Sequence, residues 1–380
     1  MLVLSEEERI LRSAAEDFLA ERSPVSALRR LRDEAVPEAF DRGLWQEMAE
    51  LGWTGLLVPE RHGGSAVGFR GLGQVLEASG QVLLASPLLS CALIAPAALM
   101  LFGTDAQQSL WLPRLAAGNA ILALALDDTP RHAPTRIVTR AIPETNGYRL
   151  SGTKPFIPDG YGADLLLVVA RVESREPKSG PAPLGIFLIP SDAPGLSIER
   201  LAMTDSRNMA RARFTEVAVD ASQLLGGTPL PPEALETLLD IARIGLAAEM
   251  LGSARRAFEK TLAYLKLREQ FGVPIGSFQA LKHRAALMYC ELELTTSAVR
   301  AALAALDAGQ VERPALASLA KAKASELAAL VSSEAVQMHG GIGMTDAEDL
   351  GFFLKRARVA QQLFGDAAFH RERYATLQGF

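Results

Sequence analysis

At 380 residues, 49% of them hydrophobic, the chain is long enough for two or three domains with real cores and is not disordered. A formal net charge of -5 excludes the basic footprint of a nucleic-acid binder. Cys91 and Cys290 show neither metal-ligand spacing nor a disulfide framework, and the acidic segment from Met1 to Arg12 does not read as a secretory signal, so a cytoplasmic setting is expected.

Residues 1–118 read as an N-terminal helical domain. Ser5 followed by Glu8 is a capping box, and Ile10, Leu11, Ala14, Ala15, Phe18 and Leu19 keep a helical period behind it. Further helices are expected over 37–51, 70–85, 91–101 and 105–117, with a Gly-rich loop at 59–68. Gln81 to Thr104 holds no charged residue and is long enough to cross a bilayer, but Pro87, Ser90 and Pro96 interrupt it. A buried turn and helix is the better reading, and no membrane span is expected.

Residues 119–230 change period and form a middle β-domain. Strands are expected over 121–126, 135–141, 148–151, 164–170, 184–189, 196–201 and 212–219, with a polar, Pro-rich loop at 174–183. Helical periodicity returns over 231–380 in four segments, 233–267, 277–308, 313–339 and 347–377, the pattern of a four-helix bundle. No internal repeat or low-complexity tract is present.

Between the first two of those helices the chain reads Arg268-Glu269-Gln270-Phe271-Gly272-Val273-Pro274-Ile275-Gly276-Ser277-Phe278-Gln279. Gly272 permits a turn and Pro274 removes a donor, and Ser277 stands where an N-cap belongs. Arg268, Gln270 and Phe271 are presented at the corner. From the residues alone, a plain helical hairpin and a binding corner are both open. Two further motifs are Pro59-Glu60-Arg61-His62-Gly63-Gly64 and Gln337-Met338-His339-Gly340-Gly341-Ile342-Gly343.

In order and spacing these three motifs resemble the acyl-CoA dehydrogenase family along essentially the whole chain. The resemblance implies an α+β multidomain fold: an N-terminal all-α domain, a middle β-barrel or sandwich domain, and a C-terminal four-helix bundle. It also implies FAD as cofactor, an acyl-CoA substrate and an oligomer. The implied reaction is α,β-dehydrogenation, in which a base removes the α-proton and the β-hydrogen leaves as hydride. That chemistry needs a carboxylate tuned by burial and donors on the thioester oxygen.

Set against the family, the base is missing. The usual Glu position is Phe364, and the alternative position used by isovaleryl-type members is Ala242. Asp366 is the nearest carboxylate, and it reads either as a base or as a cap or partner for Arg371 or Arg373. The flavin-facing segments also depart from the family: Leu126 to His132 replaces Thr-Glu and Gly-Ser-Asp, and Phe156-Ile157-Pro158 replaces Trp-x-Thr. What matches is Arg268, Gln270 and Phe271, which in the family reach the FAD of a neighbouring subunit, and Gln337, Met338, His339, Gly340 and Gly341, which complete the same cleft. An Arg fork suits a pyrophosphate, and glycines let backbone N–H groups approach it. His339 reads as a backbone contact in the glycine turn rather than an acid or base. Asp240 and Arg243 match an Asp-x-x-Arg near CoA, with an ion pair as the alternative for Arg243. No metal is expected.

Residues given in trans are thus kept and those used in cis are altered. The chain resembles a divergent bacterial branch that includes pimeloyl-CoA dehydrogenase small subunits and heteromeric steroid acyl-CoA dehydrogenases. Two readings follow: an FAD-dependent acyl-CoA dehydrogenase or a subunit of one, or a non-catalytic partner completing the FAD site of a base-bearing paralogue. The partner is accordingly a second copy or, in a heterotetramer, that paralogue. A flavin oxidase or monooxygenase on the same fold is a third reading.

Overall fold

The computed structural model describes residues 3–173 and 182–380. Most of the loop expected at 174–183 therefore lies outside the described residues. Helices α1 (Glu6–Arg22), α2 (Val25–Asp33), α3 (Arg42–Glu50) and α4 (Phe69–Gln81) come first. A π-helical turn at Leu89–Ile94 leads into α5 (Ala95–Phe102), and α6 (Asp105–Ala116) follows. Among the described residues seven strands come next: β1 (Leu122–Ala125), β2 (Arg140–Pro143), β3 (Gly147–Pro158), β4 (Leu165–Val172), β5 (Leu184–Pro190), β6 (Leu196–Arg200) and β7 (Met209–Asp220). The rest is α7 (Pro232–Leu267), the short β8 (Glu269–Gln270) and β9 (Val273–Pro274), α8 (Gln279–Asp307), α9 (Arg313–His339), α10 (Leu350–Gln362) and α11 (Ala367–Leu377).

The chain divides into two compact units, Met1–Arg30 with Phe69–Leu84 and Arg243–Phe380, and Leu31–Gly68 with Ala85–Ala242. In the first unit α1 starts at the capping box read from sequence: Ser5 Oγ accepts from Glu8 N at 3.1 Å, and Glu8 Oε2 accepts from Ser5 N at 2.8 Å. Ala15 and Leu19 are buried, while Ile10 stays in solvent. The long helices α7, α8 and α9 fall close to their expected ranges. The fourth expected helix does not form as one piece. It breaks into α10 and α11, because Phe364 (φ 56°) and Gly365 (φ 103°) turn left-handed between them. Ser277 is no N-cap either: Ile275–Ser277 is a 3-10 turn, and α8 starts at Gln279 with no side-chain cap.

Among the described residues the second unit holds a seven-stranded sheet in the order β1-β4-β2-β3-β7-β6, with β5 also paired to β4. β1 and β2 run parallel to β4, and the other pairs are antiparallel. The apolar run in β4 is buried almost throughout, as expected of a strand covered on both faces. β3 is much longer than its expected four residues. Register shifts at Leu150/Gly152 and Lys154/Ile157 let Gly152 and Pro155 sit inside a strand they would otherwise end. β2 starts late, at Arg140, because the Val138 and Thr139 N–H groups are taken by Asp128. The uncharged stretch is buried from Pro87 to Leu99, while Leu101 and Thr104 at its end are exposed. Pro96 lacks a donor there, and Ala95 N bonds back five residues to Ser90 O. Among the described residues no helix is long and apolar enough to cross a membrane.

In the helical unit, α4 and α7 pack backbone to backbone. A Cβ at Gly252 would overlap the Glu77 carbonyl, and one at Gly80 would overlap the Glu249 carbonyl. Gly252→Ala is therefore expected to destabilise the protein by at least about 2 kcal/mol through overpacking. Urea unfolding measures this, and a midpoint equal to wild type would refute the close approach.

Candidate functional site

The corner after α7 is a two-residue hairpin. Glu269 pairs with Pro274 and Gln270 with Val273, leaving Phe271 (φ 58°) and Gly272 (φ 78°) as the turn. Two positive φ angles are what a tight hairpin needs. Gly272 takes its angle without strain, but Phe271 is a bulky residue in a conformation it rarely adopts. Its ring is 92% exposed, with an edge-on contact to Phe278 at 6.0 Å. Arg268 and Gln270 are exposed beside it, and Arg268 carries no ion pair among the described residues.

The glycine motif lies at the end of α9. Gln337, Gly340 and Gly341 are exposed, and neither glycine has an atom near where a Cβ would stand. Gly340 (φ 63°, ψ −140°) ends the helix in a conformation open only to glycine. Met338 and His339 are buried, so within this chain they support the surface that the other three present. His339 Nδ1 donates to Ala335 O at 2.8 Å. Its ring stacks on Tyr264 of α7, centroids 4.1 Å apart. Tyr264 is not singled out by sequence reasoning, although it stands one helical turn before Arg268.

The turn that carries Phe364 is built from buried cations and backbone carbonyls. Lys321 of α9, fully buried, donates from Nζ to Gly365 O at 2.9 Å, Ser325 Oγ at 3.1 Å and Gln361 O at 3.3 Å. Phe364 O is met by Arg243 Nε at 3.4 Å and lies 3.0 Å from His370 Nε2. The Arg243 guanidinium also lies over the Phe369 ring at 5.6 Å. Phe364 is 6% exposed and Ala242 fully buried. Asp366 is the N-cap of α11, its Oδ1 accepting from Phe369 N at 2.9 Å. It does not pair with the arginines weighed for it: Arg371 pairs with Glu326, and Arg373 donates to Pro314 O and Ser318 Oγ. Asp240 and Arg243, expected beside CoA, are interior residues of α7. Lys321 is likewise missed in sequence, where two lysines, Lys321 and Lys323, among alanines and serines give no signal of which is buried.

In the second unit the loop after β1 is occupied by its own bonds. Asp128 pairs with Lys154 Nζ at 2.8 Å, both side chains fully buried, and Lys154 also donates to Leu126 O. Asp127 Oδ2 lies 2.9 Å from His132 Nδ1, and Asp127 Oδ1 accepts from Ala133 N. Pro158 is paired in β3, opposite Met209. These side chains do not fit a flavin ring as donors. The exposed corner and the open glycines do fit the phosphates of a dinucleotide.

Residues 5–119 match the acyl-CoA dehydrogenase N-terminal domain, and residues 232–376 match the acyl-CoA dehydrogenase C-terminal domain. The chain is similar to acyl-CoA dehydrogenase FadE12 of Mycobacterium tuberculosis, 31% identical over 94% of this chain and 92% of that protein. Among solved structures, it is similar to a variant of the Tcur3481–Tcur3483 steroid ACAD, with TM-score 0.88, 32% identity and 98% of each chain covered. It is also similar to the ChsE4–ChsE5 complex of Mycobacterium tuberculosis, with TM-score 0.89, 26% identity, and 100% of this chain and 99% of that one covered. The chain belongs to the acyl-CoA dehydrogenase family, as an FAD-dependent acyl-CoA dehydrogenase or a subunit of one.

Burial lowers the Lys321 ammonium to about 7; Asp366 opposes that shift and Arg243 adds to it. Between about 7 and the ordinary 10.5, the unfolded chain holds a proton at this lysine that the folded chain has lost. Raising the pH through that window therefore stabilises the fold, by up to about 1.4 kcal/mol per pH unit, and below it the contribution is flat. Urea unfolding of wild type and Lys321→Met from pH 6 to 9 reads this directly. The wild-type-minus-variant difference should climb above pH 7, and a constant difference would exclude it.

Proposed function

We propose that this chain is the subunit of a hetero-oligomeric acyl-CoA dehydrogenase that completes the FAD site of a paralogue carrying the catalytic Glu. One contrast carries the reading. Both base positions hold buried side chains that cannot take a proton, Phe364 and Ala242, while Arg268, Gln270 and Phe271 stand in solvent. The pairing of chains in the similar structures, Tcur3481 with Tcur3483 and ChsE4 with ChsE5, supports it.

Each residue's part follows from its chemistry. Arg268 would hold pyrophosphate oxygens through its planar fork. The space over Gly340 and Gly341 leaves backbone N–H groups approachable by an anion. Gln270 would add a hydrogen bond and Phe271 an apolar face toward the nucleoside. When bound, the flavin supplies a hydride acceptor. The proton on the α-carbon of an acyl-CoA would go to the paralogue's carboxylate. The substrate class is an acyl-CoA thioester of fatty-acid or steroid catabolism. Three domains, 1–118, 119–230 and 231–380, and a cytoplasmic location belong to the same reading. The ranges matched by the two family domains support the former, and two unpaired cysteines support the latter.

The chain purified alone is expected to remain unbleached when acyl-CoAs are added anaerobically, and to bleach once co-purified with the Glu-bearing paralogue. Bleaching of the lone chain would overturn the proposal. Asp366→Asn separates the remaining carboxylate from catalysis, since Asn caps a helix as well as Asp does. Turnover in the complex should stay within about twofold of wild type, because a cap-preserving change at an exposed site costs only a few tenths of a kcal/mol. Loss of turnover with FAD still bound would make Asp366 the base.

A further inference from the structure

The two segments offered to the flavin come from different helices, yet one flat contact joins them. Tyr264 lies on the last turn of α7, and its carbonyl accepts from Arg268 N at 2.8 Å. Arg268 O in turn accepts from Ile275 N at 2.8 Å, so the peptides on either side of the Arg268 side chain are tied down. The Tyr264 ring stacks on the His339 ring with an interplanar angle of 22°. Its hydroxyl donates to His339 O at 3.4 Å, the carbonyl at the junction of α9 with the 3-10 turn Gly340–Met344. His339 cannot swing away, because it is 4% exposed and Nδ1 donates to Ala335 O. A carbonyl only accepts, so Nδ1 carries the hydrogen. The residue after His339 is Gly340, where the chain turns out to the exposed glycines.

A pyrophosphate is short and rigid, so donors on two helix ends serve it only if those ends keep a fixed separation. Donors held in advance bind more tightly than donors ordered on binding. We infer that the Tyr264–His339 stack is a positioning element that holds Arg268 and the Gly340–Gly341 turn as one phosphate-binding surface. The inference rests on the trans-site reading above. Tyr264 and His339 touch no phosphate themselves; they set the distance between the groups that do.

The test uses the FAD-containing oligomer co-purified with the paralogue, with FAD dissociation followed by flavin fluorescence. Tyr264→Leu is expected to weaken FAD about tenfold, the upper end of what an aromatic pair contributes. Tyr264→Phe keeps the ring and should restore most of that loss, with oligomer mass and melting temperature alike in the two variants. Equal weakening by Leu and Phe, or none by Leu, overturns the positioning role. Arg268→Ala distinguishes the levels of failure. If it leaves FAD affinity unchanged, the trans-site reading itself fails; if it weakens FAD while Tyr264→Leu does not, only the positioning role fails. Should Tyr264→Leu not assemble, His339→Asn removes the other ring and is read by the same outcomes.

Discussion

The helical unit depends on one crossing where two helix backbones touch. Gly80 of α4 faces the Glu249 carbonyl of α7, and Gly252 of α7 faces the Glu77 carbonyl of α4. The arrangement is reciprocal, so neither helix can slide or roll without losing both contacts. It also decides where the charges go. Glu77 is 3% exposed and takes Arg12 of α1 and Arg255 of α7, each at 3.1 Å, while Arg356 of α10 lies 3.5 Å from Glu249. Removing water from a carboxylate is costly unless a cation meets it. The crossing thus recruits α1 and α10 to the same place, and α7 is left with one direction in which to run. Everything at its far end, from Tyr264 to the hairpin corner, inherits that direction.

The turn between α10 and α11 shows how a buried Phe is held in a left-handed conformation. Lys321, Arg243 and His370 act on the carbonyls of Gln361, Phe364 and Gly365. The turn is held by its backbone. A left-handed bulky residue costs roughly 1–3 kcal/mol, which persists only when surrounding bonds over-determine it. Here three buried donors do so.

Much of this was legible in the sequence, for reasons that differ by element. The capping box at Ser5 and the long bundle helices were readable because caps and 3.6-residue periodicity are local. The break between α10 and α11 was not, since Phe364 promises no left-handed turn and its support comes from Lys321, more than forty residues earlier. β3 was under-read because Gly152 and Pro155 look like terminators, and only its pairing with β7 shows that bulges absorb them. α2 was missed because Leu28 is its one buried residue, too little for a period. At the site, the corner residues expected to be presented are exposed, whereas Met338 and His339 of the glycine motif are buried. The stack joining them was not, because it is a contact between residues 75 apart in the chain.

Phe271 and Phe364 share a backbone conformation that bulky residues avoid, and they meet its cost differently. Phe364 is buried and the turn around it is held by three donors, two of them on its own carbonyl, so its strain is offset inside the chain. Phe271 is 92% exposed, and its edge contact with Phe278 leaves most of the ring in water. Leu267 next to the corner is 80% exposed as well. An exposed aromatic on a strained backbone gains nothing from folding alone; both costs are recovered when something apolar covers the ring. An adenine or a neighbouring chain is such a surface, and Arg268 beside the ring adds the charge that a dinucleotide requires. On the trans-site reading proposed above, the corner is shaped by an interaction that one chain cannot supply to itself, whereas the bonds that hold the turn at Phe364 lie within the chain.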